Sequence, residues 1–377
     1  MDIQTQESAA PISLAKGVDV GKVEKELKAL WHSDDDARGV TRACTMNLVV
    51  YADHTEDRHA IGDMLTLVNG VHPGRVVLLV ANREAAAPRL GAEASVRCRM
   101  LGANQIVCGE QVTLEADGSA LATANTAVAP LLLPDVPVFL WWKDIPHYED
   151  RLFNALADLA DRVVIDSAAF DNPHNDTQRL AEVLRSHHEF GYFSDLNWGR
   201  LTSWRTLLAS FWDVADCLPH LANIDRITVE YDPPDSNKNE IAAQALLVVG
   251  WLASRLGWEV VKGEKGTEAA WFTLRAGARE IIVEMRPDKE YEGNDALLTS
   301  ITLNAGRRAA FSIAYDPNGP KLETIANIEG VRNVSRLLAY EQKTEAQRLS
   351  REMGILQRDN IYEATLGVAA QLLATLK

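Results

Sequence analysis

Cysteine is scarce in this 377-residue chain: there are four, at positions 44, 98, 108 and 217. None forms a CxxC, and no Cys/His cluster has zinc spacing, which argues against a structural zinc site and against a disulfide framework in a chain this long. Cations are outnumbered, 38 Lys and Arg against 53 Asp and Glu, for a net charge of -15. That deficit argues against nucleic acid and anionic membrane as partners, since phosphates attract clustered Lys and Arg. Long apolar runs are missing too. The stretch 127–142 is broken by Pro130, Pro134, Asp135 and Pro137, and the stretch 241–257 by Gln244, Ser254 and Arg255. Neither reaches the ~18 uninterrupted apolar residues of a membrane span. The start, MDIQTQESAAPISLAKG, lacks the apolar segment of a secretory signal, so a cytoplasmic protein is expected.

Several chemical signatures are also missing. No GxGxxG follows a strand, no GxxxxGK[ST] appears, and neither HExxH nor GxSxG occurs. His187, His188 and Glu189 are consecutive, but neighbouring histidines on a helix point about 100° apart and do not converge on a metal. These absences argue against the common cofactor classes, and the expectation is no cofactor and no metal.

What is present is an ordinary globular composition, 47% hydrophobic and 24% charged, with a length that suggests two domains. Residues 1–18 read as a flexible tail. Residues 19–222 read as an α/β domain with a Trp/Arg-rich helical segment, and 223–377 as an α+β domain ending in helices. Asp19 is placed to cap a first helix whose Val23, Leu27, Leu30 and Trp31 form one stripe. Strands are expected over 44–51, 75–80, 94–101, 105–114, 136–141 and 162–166. A helix over 56–68 separates the first two, an order that implies a parallel crossover. The fold class is therefore α/β: a mixed sheet covered by helices, followed by a second unit. That second unit has strands over 226–231, 258–261, 270–274, 280–285, 298–303 and 309–315, a helix over 239–256, and a helical, charged final 45 residues.

Four constellations carry candidate chemistry. In Pro134-Asp-Val-Pro-Val-Phe-Leu-Trp-Trp142, Trp141 and Trp142 face opposite sides of a strand, so either both are core or Trp142 anchors a partner. In Asp195-Leu-Asn-Trp-Gly-Arg200 with Trp204 and Arg205, the Trp and Arg side chains are hot-spot types. The alternative there is a helix tucked against the sheet, with its arginines paired to Asp166 or Asp195. His72-Pro-Gly-Arg75 reads as a turn feeding a buried strand, or as an anion contact through His72 and Arg75. Between the strands over 94–101 and 105–114, Gly102-Ala103-Asn104 makes a three-residue loop that puts Leu101 opposite Gln105 and therefore Cys98 opposite Cys108. The pair is either two reduced thiols or a disulfide that would permit a redox switch.

Taken in order, Arg42-Ala-Cys44 with Met46-Asn-Leu48, His72-Pro-Gly-Arg75, Cys108-Gly-Glu110, the 131–142 segment, Val164-Ile-Asp-Ser167 and the 195–205 segment resemble the OpcA family of glucose-6-phosphate dehydrogenase assembly proteins. The resemblance spans most of residues 40–215. It implies an α/β protein with no catalytic residues, which binds glucose-6-phosphate dehydrogenase, promotes its active oligomer and raises its activity. Thioredoxin is implied as a further partner, because cysteines of photosynthetic members are linked to it. Trp142, Trp198, Arg200, Trp204 and Arg205 are the expected exposed contacts. The rival expectation is a phosphosugar-binding sensor or enzyme using His72, Arg75, Arg200 and Arg205 as an anion cradle.

Overall fold

The computed structural model describes residues 3–7, 12–13, 18–34, 44–100, 106–147, 149–186, 191–234, 237–289, 291, 297–316, 318–331, 333–340, 342–355 and 357–376. The hairpin loop at 102–104 and the His187–Glu189 triplet lie outside these residues.

In chain order the elements begin with β1 (Ile3–Glu7), β2 (Ile12–Ser13), α1 (Val20–Asp34), β3 (Met46–Asp53), α2 (Arg58–Asn69), β4 (Gly74–Asn82), β5 (Arg89–Met100) and β6 (Ile106–Asp117). Then come α3 (Ala124–Val128), β7 (Val138–Trp142), α4 (Arg151–Ala157), β8 (Arg162–Ile165), α5 (Pro173–Ser186), β9 (Tyr192–Asp195), α6 (Leu196–Arg200), α7 (Thr202–Ser210) and α8 (Leu218–Leu221). The remainder is β10 (Arg226–Tyr231), α9 (Ala243–Leu256), β11 (Glu259–Lys265), β12 (Ala270–Ala276), β13 (Arg279–Pro287), β14 (Leu298–Ala305), β15 (Ala309–Asp316), β16 (Lys321–Ile328), β17 (Val334–Ala339), α10 (Glu345–Met353) and α11 (Asn360–Thr375).

The chain forms two compact units, and no single cut at 222 separates them. The first contains Met1–Ile165, His187–Ser194 and Thr344–Arg358; the second contains Asp166–Ser186, Asp195–Lys343 and Asp359–Lys377. Chain order cannot reveal this, because α10 belongs with the first unit and α11 with the second.

The first unit is built on a nine-stranded sheet ordered β1-β5-β6-β4-β3-β7-β8-β9, with β2 also on β5. The run from β6 to β8 is parallel. Counting β3, β4, β6, β7, β8 and β9 as first to sixth gives the spatial order 3-2-1-4-5-6, the doubly wound arrangement. The centre is β3, whose MNLVVYAD is buried from Met46 to Ala52, as a strand covered on both faces must be. Residues 1–18, expected as a loose tail, instead contribute β1 and β2, which pair antiparallel with β5. Gly74 opens β4 beside Met46, and a Cβ there would lie closer than 3.0 Å to the Met46 carbonyl oxygen. Backbone cannot yield as a side-chain tip can. Gly74→Ala is therefore expected to cost about 1–3 kcal/mol by overpacking, seen as a lower unfolding midpoint, and an unchanged midpoint would refute the close approach.

The second unit carries an eight-stranded sheet, β11-β12-β13-β10-β14-β15-β16-β17. Its β10–β13 pair is parallel and its other pairs are antiparallel. Burial alternates along β13 and β14, as in a sheet with one covered face. Helix α9 is buried nearly all round and packs against α11, with Gly250 facing the Thr365 carbonyl, where a Cβ would lie at 2.6 Å. The expected all-helical final 45 residues are corrected by β17. All six residues of β17 are exposed, so no burial periodicity marked it as a strand.

Candidate functional site

Two places hold the residues singled out by sequence. In the first unit, the carboxyl ends of β3 and β7 meet where the strand order reverses, the position at which open α/β sheets bind ligands. Here the side chains of the chain pair with one another. Tyr51 and Trp142 stack at 3.8 Å and 14°. Arg83 Nε donates to Tyr51 Oη at 2.8 Å, and a second Arg83 nitrogen donates to Asp150 at 2.6 Å. Burial pushes the Tyr51 phenol up to about 12. Lys143 reaches Glu56 at 2.6 Å. Asp53 ends β3, the turn after it carries Glu56 and Asp57, and the Asp57 carboxylate accepts from the amides of His59 and Ala60 at the start of α2. Those amides are what a pyrophosphate would use in a dinucleotide site. A carboxylate of the chain occupies them.

The other first-unit landmarks are clamps. Asn47 Nδ2 donates to the Leu133 carbonyl at 2.9 Å and Asn47 Oδ1 accepts from Leu133 N at 2.8 Å, fastening the segment that enters β7. Arg75, expected as an anion contact, is 2% exposed. It donates to Glu110 at 2.7 Å, to Glu24 at 2.5 Å and to the Leu131 carbonyl at 2.8 Å. Trp31 Nε1 donates to the other Glu110 oxygen at 2.7 Å. His72 Nε2 lies 2.7 Å from the Ser350 carbonyl. Arg75 is held by carboxylates of the chain, so the anion reading is corrected for Arg75. Cys98 and Cys108 are directly paired in the β5–β6 ladder and joined as a disulfide, beside Trp31 and Val96.

In the second unit, Asp195 is fully buried and forms the hub of a network. Its carboxylate accepts from Ser167 N at 3.0 Å, Ser167 Oγ at 2.7 Å, Asn197 N at 2.9 Å and Tyr362 Oη at 3.2 Å. Asn197 passes the network to Gln244, whose Oε1 accepts from Leu298 N. Burial, and then the nearby charge of Asp166, push the Asp195 carboxyl up to about 6 against the pull of the Ser167 and Asn197 bonds. Arg200 forks onto Asp166 at 2.5 and 2.7 Å, the pairing anticipated as the alternative to a hot spot. Arg205 lies 3.4 Å over the Trp198 ring, and Trp198 Nε1 donates to Asp359 at 2.9 Å. Trp142, Trp198 and Trp204 are 1, 3 and 2% exposed. The expectation that they stand at the surface is corrected: they are interior side chains. Of the expected anion cradle, Arg75 and Arg200 lie in different units and each already holds a carboxylate. Sequence reasoning missed Gln244, Asp359 and Tyr362, since a helix stripe gives no hint of which distant loop its polar positions meet. Among the described residues, no group of three His, Cys, Asp or Glu could hold a metal, and no helix is long and apolar enough to cross a membrane.

Comparison with known proteins agrees with the landmarks. The model described as the glucose-6-phosphate dehydrogenase subunit N-terminal domain matches residues 66–182, and that of its C-terminal domain matches residues 191–366. A relative from Nostoc punctiforme, described as an OxPP cycle protein OpcA, is 31% identical over 279 residues, covering 71% of this chain and 58% of its own length. A relative of the same description from Synechococcus elongatus is 34% identical over 192 residues, covering 50% of this chain and 41% of its own. The matches thus span no more than 58% of these relatives. An NAD-binding oxidoreductase from Klebsiella pneumoniae aligns over 89% of this chain and 96% of its own at 11% identity, with a TM-score of 0.49, too low to bear on chemistry. With two family domains matched one after the other over most of its length, the chain belongs to the OpcA family of glucose-6-phosphate dehydrogenase assembly proteins.

Proposed function

We propose that this chain is a non-catalytic assembly factor and activator of glucose-6-phosphate dehydrogenase, acting in the oxidative pentose phosphate pathway in the cytoplasm. The family match across both units carries this reading. The Asp57 carboxylate on the first amides of α2, at the end of the parallel sheet where a dinucleotide site would place its pyrophosphate, supports it. An activator of this kind works by binding the active assembly more tightly than the inactive one.

With the tryptophans buried, the contact surface we propose is β17. Val334, Leu337 and Leu338 are 49, 63 and 39% exposed on a strand that ends the sheet order, with no further strand beside it among the described residues. Such an edge is a template for an added strand. The dehydrogenase is the occupant to which the family descriptions point.

The test is a titration of the chain into the dehydrogenase of the same organism, following NADP reduction and light scattering on the same mixtures. A saturable rise in rate with a larger particle is expected. No change in either sinks the reading and turns attention to direct calorimetry with sugar phosphates. Repeating the titration with reduced thioredoxin asks whether the Cys98–Cys108 bond controls activation. Leu337→Asp combined with Val334→Asp is expected to weaken the complex by at least about tenfold. Unchanged affinity would discard β17 as the surface while leaving the assembly role standing.

A further inference from the structure

The β10–β13 pair has a geometric consequence. The two strands run in the same direction, with Glu230 beside Arg286 and Tyr231 beside Pro287, so both chains leave the sheet at the same edge. A tight hairpin can close the end of an antiparallel pair but not of a parallel one. A depression of about 580 Å³ is left there, lined by Glu230, Glu268, Arg286, Asp288, Lys289, Tyr291 and Tyr315 together with Pro287. That volume falls within the range of small-molecule sites.

The lining is specific in its chemistry. Arg286 Nε and a terminal Arg286 nitrogen donate to one oxygen of Glu230 at 2.9 and 2.6 Å, while Ser300 Oγ donates to the other at 2.7 Å. Lys289 Nζ lies 3.0 Å from Glu268. Tyr315 stands edge-on between Tyr291, at 6.1 Å, and Tyr340, at 5.8 Å. Three carboxylates (Glu230, Glu268, Asp288) face two cations (Arg286, Lys289), a sum of -1, and each cation already holds a carboxylate. A phosphate or other dianion entering this site meets net repulsion. A hydroxyl does not: it donates to a carboxylate oxygen and accepts from the neighbouring guanidinium at once, which is what a paired Arg–Glu presents side by side. Tyrosine rings beside that pair give the C–H face of a saturated ring an apolar surface.

We infer that this depression binds an unphosphorylated polyhydroxylated molecule, a sugar or a cyclic polyol. The site is independent of the assembly role and makes no use of the His72, Arg75, Arg200 and Arg205 cations. Saturation-transfer NMR on the full chain with D-glucose, myo-inositol and trehalose as probes, each at about 10 mM to reach millimolar affinities, tests it. Transfer to the ring protons of at least one probe is expected. That signal should fall at least about fivefold in both Tyr315→Ala and Glu230→Gln, and glucose 6-phosphate should bind more weakly than the uncharged probes. Glu230→Gln keeps the side-chain size, so it reports on recognition if Tyr315→Ala fails to fold. Absence of transfer from all three probes, transfer that survives in the folded variants, or tighter binding of the phosphorylated sugar would each overturn the inference.

Discussion

Replacing Arg75 by alanine is expected to destabilise the first unit by about 3–5 kcal/mol, the cost of leaving a buried charge without its partner. The charge in question is Glu110, whose side chain is 0% exposed and which faces Arg75 across 2.7 Å. Trp31 Nε1 would remain on one carboxylate oxygen, but a neutral donor does not offset a full charge. The Leu131 carbonyl would lose its donor as well, and Glu24 its ion pair. Because the pair is shielded from solvent, the loss should depend little on salt. Denaturant unfolding of Arg75→Ala against the unsubstituted chain measures it. The double change Arg75→Met with Glu110→Leu removes both charges together and should cost clearly less than the single change. A single-variant loss below about 1 kcal/mol would mean that Arg75 is a surface-like ion pair, and the anion-contact reading would return.

The second large effect is a dependence of stability on pH set by Asp195. Its carboxyl titrates near 6 in the folded chain against an ordinary value of 3.8, chiefly through burial. Between those values the folded chain keeps a proton that the unfolded chain has lost. The contribution is therefore fully present below 3.8 and is lost as pH rises through 6. Its size is at most about 3 kcal/mol. Asp195→Asn removes the titration, so its stability relative to the unsubstituted chain should rise from pH 4 to pH 7. Asp195→Ala acts in the opposite sense. It strands the donors of Ser167, Asn197 and Tyr362 in the interior and should cost about 3 kcal/mol or more. Unfolding curves at several pH values decide the matter, and a difference between Asp195→Asn and the unsubstituted chain that stays flat with pH would remove Asp195 from this role.

These two residues also show why the landmarks could be seen in the sequence while their purpose could not. Arg75, Glu110, Asp166, Ser167, Asp195 and Arg200 all lie in the segments that carried the resemblance. Reading Trp and Arg as exposed hot spots assumed that an unusual local density of such residues signals a surface. In the fold, Trp198 stacks under Arg205 and Trp204 is buried, so the same density serves packing and internal pairing. Residue type cannot separate the two uses, because a guanidinium fork fits an internal carboxylate as well as an external one.

The sequence by itself determined the α/β class, the apolar β3 and β4 core, the α1 stripe and the pairing of Cys98 with Cys108. Each of these depends on local periodicity or on counting across one short loop, which are properties of neighbouring residues. Only the tertiary structure decided the 3-2-1-4-5-6 strand order, the division of α10 and α11 between units, the pairing of the first residues with β5, and the interior place of the tryptophans. The polar contacts that go with them are as distant in sequence, 35 residues for Arg75 to Glu110 and 167 for Asp195 to Tyr362. At such separations a polar side chain carries no local mark of its partner, and the whole sheet must form before the two meet.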